Sequence, residues 1–232
     1  AHKMLYSLSS FSTCTFDQIS AVHTGPKIFQ LYVWKDRAFL RDLLSRAREN
    51  GFELLALTAD LSWFGNRERE RKAGFTIPPA YTVRQCADAL TSPAWSFDFL
   101  SSDAYTYALI DGSARADSIS SFVNAQIDAG FNWADAEWLC AEWGGPVLLK
   151  GVVRPDNAKH AIQSGFAGVW VSNHGGRQLE TAPAPIQVLP AIRYALGPTP
   201  WVVMDGGVQR GVDIAKAIAL GADGVAVGKP AL

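Results

Sequence analysis

Along the chain, short apolar runs rich in β-branched residues alternate with stretches whose apolar positions recur at helical spacing. The runs at 4–8, 27–33, 53–58, 146–152, 167–171, 201–204 and 224–227 predict strands. Between them, 36–50 (DRAFLRDLLSRAREN) sets Phe39, Leu40, Leu43 and Leu44 on one helical face. The stretches 134–143, 155–164, 185–196 and 210–220 read the same way, and Gly51 and Gly221 stand where helices would stop. Strand and helix alternating at this length imply parallel βαβ units. The expected fold class is therefore α/β, a (β/α)8 TIM barrel that is incomplete, with about seven strands present. Residues 1–232 are expected to form a single domain, within the size that such barrels reach.

One stretch breaks the rhythm. Residues 82–130 contain no clear strand and carry turn signals at Ser92-Pro93, Ser101-Ser102-Asp103 and Asp111-Gly112, so they read as a long loop insertion. Between 84 and 128 two arginines face six aspartates, a balance that does not attract anionic lipid. The insertion could be a lid, a surface for a partner or membrane, or a disordered loop. Its apolar Trp95, Phe97, Phe99 and Leu100 could enter a bilayer surface in spite of the charge.

Composition narrows the class. Of 232 residues, 48% are hydrophobic and 19% charged, which is globular rather than disordered. A net charge of −1 carries no electrostatic footprint for nucleic acid. Cys14, Cys86 and Cys140 are far apart, without metal-ligand spacing, and read as reduced thiols. No apolar run approaches the roughly 20 residues of a spanning helix, and Ala1-His2-Lys3-Met4, with no basic segment followed by a long apolar one, is not expected to open a secretory leader. A cytoplasmic location is expected, with peripheral membrane contact through 82–130 left open.

Candidate chemistry sits where strands end. The run at 167–171 leads into Ser172-Asn173-His174-Gly175-Gly176-Arg177-Gln178. Barrel enzymes place reacting groups at this junction, where an imidazole can take a proton near neutral pH and a guanidinium can clamp a carboxylate. On these residues alone, a helix-capping polar loop is an equal reading. Asp205-Gly206-Gly207-Val208-Gln209-Arg210-Gly211 follows the next strand and opens a helix, and the last strand ends at Gly228-Lys229-Pro230. Glycines there let backbone N–H groups approach an anion, and the helix N-terminus adds its dipole.

Taken together, these segments resemble the FMN-dependent 2-hydroxy acid oxidases and dehydrogenases. Ser172–Gln178 resembles the family's active-site signature; Asp205–Gly211 with Lys216-Ala217-Ile218-Ala219-Leu220-Gly221-Ala222 resembles its flavin-phosphate segment. Two further blocks occur in the family's order: Phe29-Gln30-Leu31-Tyr32-Val33, then Leu57-Thr58-Ala59-Asp60 with Gly65-Asn66-Arg67-Glu68-Arg69. Residues 81–99 and Phe131-Asn132-Trp133 look most like the L-lactate and mandelate dehydrogenase branch.

The resemblance implies FMN as cofactor and a small L-2-hydroxy acid, lactate-like, oxidised to the 2-oxo acid. It makes His174 the base, with Asp60 stabilising the imidazolium, and Arg177 and Arg67 the holders of the substrate carboxylate. Tyr32 would hydrogen-bond the substrate, and Lys150 would stabilise the reduced flavin ring. Ser9, Gln30, Thr58 and Ser172 would hydrogen-bond the ring or ribityl chain. Asp205, Gly206, Gly207, Gln209, Gly228 and Lys229 would line the ribityl and phosphate end. No metal is implied. The electron acceptor (oxygen, quinone or cytochrome) stays open, and many relatives are homo-oligomers.

Each of these has a plainer reading. Tyr32 could be an ordinary strand aromatic, Asp60 and Thr58 loop caps, Lys150 and Lys229 solvated strand ends, and Arg67 part of a solvated charged helix face. The sequence also departs from the family. Arginine is usual where Gln209 and Lys229 stand, and one lost charge-assisted contact costs about 1.5–3 kcal/mol, roughly tenfold or more in affinity. The family also has a first barrel strand ahead of the one that opens this chain, and a helix after 228–230. The chain is therefore expected to be part of a longer gene product or a natural truncation. The alternative is a catalytically inactive barrel that binds FMN weakly or serves only as a binding module. A third reading is a phosphate-binding barrel enzyme without flavin.

Overall fold

In the computed structural model, residues 4–61, 65, 68, 72, 74, 82–102, 107–110 and 127–228 are described. Seven strands form one sheet in chain order: β1 (Tyr6–Ser9), β2 (Lys27–Leu31), β3 (Leu54–Thr58), β4 (Val147–Val152), β5 (Gly168–Val171), β6 (Trp201–Met204) and β7 (Gly224–Val225). Every pairing is parallel. Sequential parallel neighbours joined by helices make an incomplete (β/α)8 barrel, in which β1 and β7 are the edges.

Among the described residues the α-helices are α1 (Phe16–Val22), α2 (Arg37–Glu49), α3 (Val83–Leu90), α4 (Pro93–Ser101), α5 (Trp133–Trp143), α6 (Pro155–Gln163), α7 (Pro185–Leu196) and α8 (Gly211–Ala219). Local chemistry sets their ends. Asp36 accepts hydrogen bonds from the N–H groups of Ala38 (2.9 Å) and Phe39 (3.0 Å) at the start of α2. Asn132 and Asp135 form a reciprocal capping box on α5. Leu40, Leu43, Leu44 and Ala47 of α2, Leu139 of α5 and Leu189 and Ile192 of α7 are fully buried against Phe29, Leu31, Leu55, Leu57, Val169 and Val202 of the sheet. Those strand residues alternate with a second set on the opposite face, the barrel interior.

Two expectations need correction, and one helix goes unpredicted. The first strand begins at Tyr6 and ends at Ser9, two residues later at its start than hydropathy suggests, because its extent follows pairing with Lys27–Gln30. Residues 82–130 are not simply a loop: α3 and α4 lie within them, and Ser92-Pro93, which reads as a turn, is the N-cap and first residue of α4. Helix α1 escapes the periodicity reading, although Thr15 and Gln18 form its capping box. No helix among the described residues is long and apolar enough to cross a membrane. Of the cysteines, Cys86 is exposed, whereas the Cys140 thiol in α5 is pushed up to about 11 by burial and by the neighbouring Glu137.

Candidate active site

Strand parity builds the site. Ile28, Ala56, Leu148 and Trp170 pack together on the interior face with Leu54, Val203 and Ala226. Moving two residues along each strand toward its C-terminal end, on the same face, gives Gln30, Thr58, Lys150, Ser172, Asp205 and Gly228. Two more residues give Tyr32, Asp60 and His174, while Ser9 shares the face through its pairing with Gln30. An apolar floor therefore lies beneath a polar layer at the open end. Above it is a cavity of about 650 Å³ lined by Gln30, Tyr32, Lys150, His174, Gly175, Arg177, Asp205, Gly206, Gly207, Val208, Gln209, Ala226 and Gly228.

His174 is held from three directions. Its Nδ1 lies 3.2 Å from both carboxylate oxygens of Asp60, its Nε2 lies 3.4 Å from the Tyr32 hydroxyl, and its backbone N–H donates to Ser172 Oγ at 3.0 Å. A carboxylate at Nδ1 fixes the proton there and leaves the Nε2 lone pair directed into the cavity. Among the described residues, His174 is the single non-glycine with positive φ, at 58°, a sparsely populated conformation that costs on the order of 1–3 kcal/mol. The loop offsets that cost through Asn173, whose Oδ1 accepts from Gly176 N–H (3.2 Å) and whose amide donates to Pro183 O (3.3 Å).

Lys150 is the buried cation of the site. Its Nζ donates to Ser172 Oγ at 3.1 Å, lies 3.4 Å from Asp205 Oδ2 and sits over the Trp170 ring. The strand runs past Lys150, as the apolar run 146–152 predicts. It runs on to Val152 through a register shift at Gly151, which has φ +97°. A Cβ on Gly151 would meet the Asp60 Cβ and Cγ at 2.7 Å. The missing side chain is therefore what lets Asp60 reach His174. Gly151→Ala should lower stability by roughly 1–3 kcal/mol, read as a fall in Tm of several degrees, and should separate the Asp60–His174 pair. Sequence reasoning passed over Gly151, although a glycine inside an apolar strand run is a bulge signal.

The remaining candidates fall into place around this centre. Gln30 Nε2 donates to Thr58 Oγ1 (3.3 Å) and toward the Tyr32 hydroxyl (3.4 Å). Ser172 is fully buried beneath Lys150. Ser9 Oγ accepts the Phe11 N–H (3.2 Å) and does not line the cavity. Arg177 lines it, while Arg67 and Lys229 lie outside the described residues. Parts of the insertion also reach this region: Ile127 bridges Trp34, Asp128 N–H donates to Val33 O (3.0 Å), and Tyr107 and Tyr32 both contact the Phe11 ring.

The cavity fits a phosphorylated flavin in most respects. Asp205 Oδ1 is buried with no hydrogen-bond partner among the described residues, an acceptor suited to a hydroxyl such as those of a ribityl chain. Gly206 and Gly207 have φ of 92° and 75°, and Cβ atoms built on Gly207 and Gly228 would meet nothing within 4 Å, so backbone lies open to an anion. The helix contributes less than the sequence implies. Asp213 already accepts from the N–H groups of Gln209 (3.1 Å) and Arg210 (3.0 Å), contacts that hold its carboxyl below the usual range. Gln209 lines the cavity without supplying a charge.

Comparison with known proteins gives a consistent picture. The FMN-dependent dehydrogenase family profile matches residues 1–232. A putative L-lactate dehydrogenase from Mycobacterium tuberculosis is 36% identical over 225 residues, covering 97% of this chain and 54% of the relative. Glycolate oxidase 3 from Oryza sativa subsp. indica is 38% identical over 229 residues, covering 98% and 58%. Among solved structures, the monotopic membrane protein (S)-mandelate dehydrogenase superposes with a TM-score of 0.92 at 33% identity, over 98% of this chain and 61% of that one. The chain thus spans a little over half the length of these relatives.

Proposed function

This chain belongs to the FMN-dependent dehydrogenase family, and from that premise we propose that the protein oxidises a small L-2-hydroxy acid to the 2-oxo acid, with residues 1–232 acting as one FMN-binding barrel unit. The observation that carries this reading is the Asp60–His174–Tyr32 array, which opens onto the cavity that also receives Lys150. Relatives named for lactate, glycolate and mandelate share this chemistry of a hydroxyl carbon beside a carboxylate.

In this account Lys150, Gln30 and the Asp205–Gly207 and Gly228 segments hold FMN, with Gln209 toward its phosphate, while Ser172 and Thr58 act from behind by holding Lys150 and Gln30 in place. When bound, FMN accepts the two electrons that leave the substrate. Arg177 and Arg67 hold the substrate carboxylate, for which a guanidinium fork is suited. Tyr32 donates a hydrogen bond to the substrate oxygen. His174 Nε2 takes a proton from the hydroxy acid, and Asp60 then faces an imidazolium, a charge pair in a cavity of lowered dielectric. Electrons pass on to oxygen, a quinone or a cytochrome. The test is 2-oxo acid formation from L-lactate, glycolate and L-mandelate with an artificial electron acceptor. Turnover of at least one supports the reading, and turnover of none, with FMN bound, overturns it in favour of an inactive FMN-binding barrel.

A specific observation favours peripheral membrane contact as a second property. Helix α4 buries none of its residues and exposes Trp95, Phe97, Phe99 and Leu100 with one charge, Asp98. Such an apolar surface element suits an interfacial helix. Because the insertion is acidic, binding should be driven by apolar contact. The protein is expected to co-sediment with neutral phosphatidylcholine vesicles, with little gain from anionic lipid. Phe97→Ser with Leu100→Ser should weaken binding by tenfold or more, at about 1.5–3 kcal/mol per buried large side chain. Absence of the parent protein from the pellet would exclude this contact.

A further inference from the structure

Two loops carry the proposed chemistry, one after β3 with Asp60 and one after β5 with His174 and Arg177, and a second joint ties them beyond the Asp60–His174 pair. Gln178 Oε1 accepts the backbone N–H of Gly65 at 3.0 Å. At the same place the two backbones touch: a Cβ on Gly65 would lie 2.0 Å from the Arg177 carbonyl oxygen and 2.8 Å from the Gln178 Cα. The amide orientation is fixed, since the reverse would set an NH2 against an N–H donor. Gln178 Nε2 is then buried with no hydrogen-bond partner among the described residues, an arrangement that is costly to keep and that a merely space-filling residue would not need.

We infer that Gln178 is a positioning residue: its amide locks the Gly65 backbone under the Arg177 carbonyl and so sets the guanidinium of Arg177 for a carboxylate ligand. This inference rests on the reading of the cavity as a 2-hydroxy acid site. Gln178 itself does not line that cavity. It acts through Arg177, its chain neighbour, whose carbonyl abuts Gly65.

The experiment approaches the joint from both sides in the FMN-loaded protein. Gln178→Met keeps side-chain length and removes the acceptor; Gly65→Ala pushes the same two backbones apart. Oxalate, a dicarboxylate that cannot be oxidised at a hydroxyl carbon, is titrated by its perturbation of the flavin spectrum, alongside KM, kcat and FMN affinity. The expected result is that each variant weakens oxalate binding and raises KM by tenfold or more, with FMN affinity within twofold of the parent and kcat changed less than KM. The double variant should lose no more than the worse single, because both break one contact. Oxalate affinity and KM unchanged in Gln178→Met overturn the inference. So does a loss of FMN affinity in step with oxalate affinity, which marks a general structural role. Failure of the parent itself to bind oxalate overturns the carboxylate-site reading, and the inference with it.

Discussion

His174→Asn should reduce substrate-driven flavin reduction by roughly 10²–10⁴-fold, the range that a positioned general base supplies, while FMN affinity stays within about twofold. Asparagine is chosen because His174 occupies φ +58°, a conformation that asparagine adopts more readily than most residues. The substitution thus removes the Nε2 acceptor without adding backbone strain. His174 contacts Asp60, Tyr32 and Ser172 rather than Lys150, so the cofactor end of the cavity is left intact. Rapid-mixing absorbance of the FMN-loaded variant checks this, and reduction at the parent rate would remove His174 from the mechanism.

Lys150→Met should have the largest combined effect on stability and cofactor binding. Taking one partner from a buried ion pair strands the other, at about 3–5 kcal/mol. Asp205 keeps 21% side-chain exposure, so the low end, about 3 kcal/mol, is expected. At 2–4 °C per kcal/mol for a chain of this size, Tm should fall by roughly 6–12 °C. FMN affinity should fall by tenfold or more with the loss of a charge-assisted contact. Pairing Lys150→Met with Asp205→Asn separates the two effects: the stranded carboxylate is neutralised and most of the Tm returns, while FMN affinity does not. Recovery of both would make Lys150 a structural residue only.

Much of this site is legible in the sequence because strand geometry carries it. The interior positions Ile28, Ala56, Leu148 and Trp170 are followed, at the two-residue period of a strand, by Gln30, Thr58, Lys150 and Ser172. A reader of the runs alone can find the junctions where polar residues leave an apolar strand. Helix faces such as Leu40, Leu43 and Leu44 are equally visible because they repeat at helical spacing.

What escapes sequence reading depends on contacts between distant segments. The Gly151 bulge matters because Asp60 comes from another strand, and the Gly65–Gln178 joint spans 113 residues. Helix α4 carries apolar residues with no single face, as a helix that buries nothing against its own fold can do. The first strand's limits are set by its partner rather than by its own hydropathy, as expected for an edge strand paired on one side. The offer that α8 makes to a phosphate is likewise a matter of competition, since Asp213 already occupies the N–H groups of Gln209 and Arg210.

The most direct test of the central claim is the visible spectrum of the protein with added FMN under anaerobic conditions, recorded before and after L-lactate and L-mandelate. A protein-bound flavin spectrum that bleaches with either acid, and not with its D-enantiomer, is the expected result. Flavin that stays free in solution, or that binds and remains oxidised with every L-2-hydroxy acid tried, would contradict the claim.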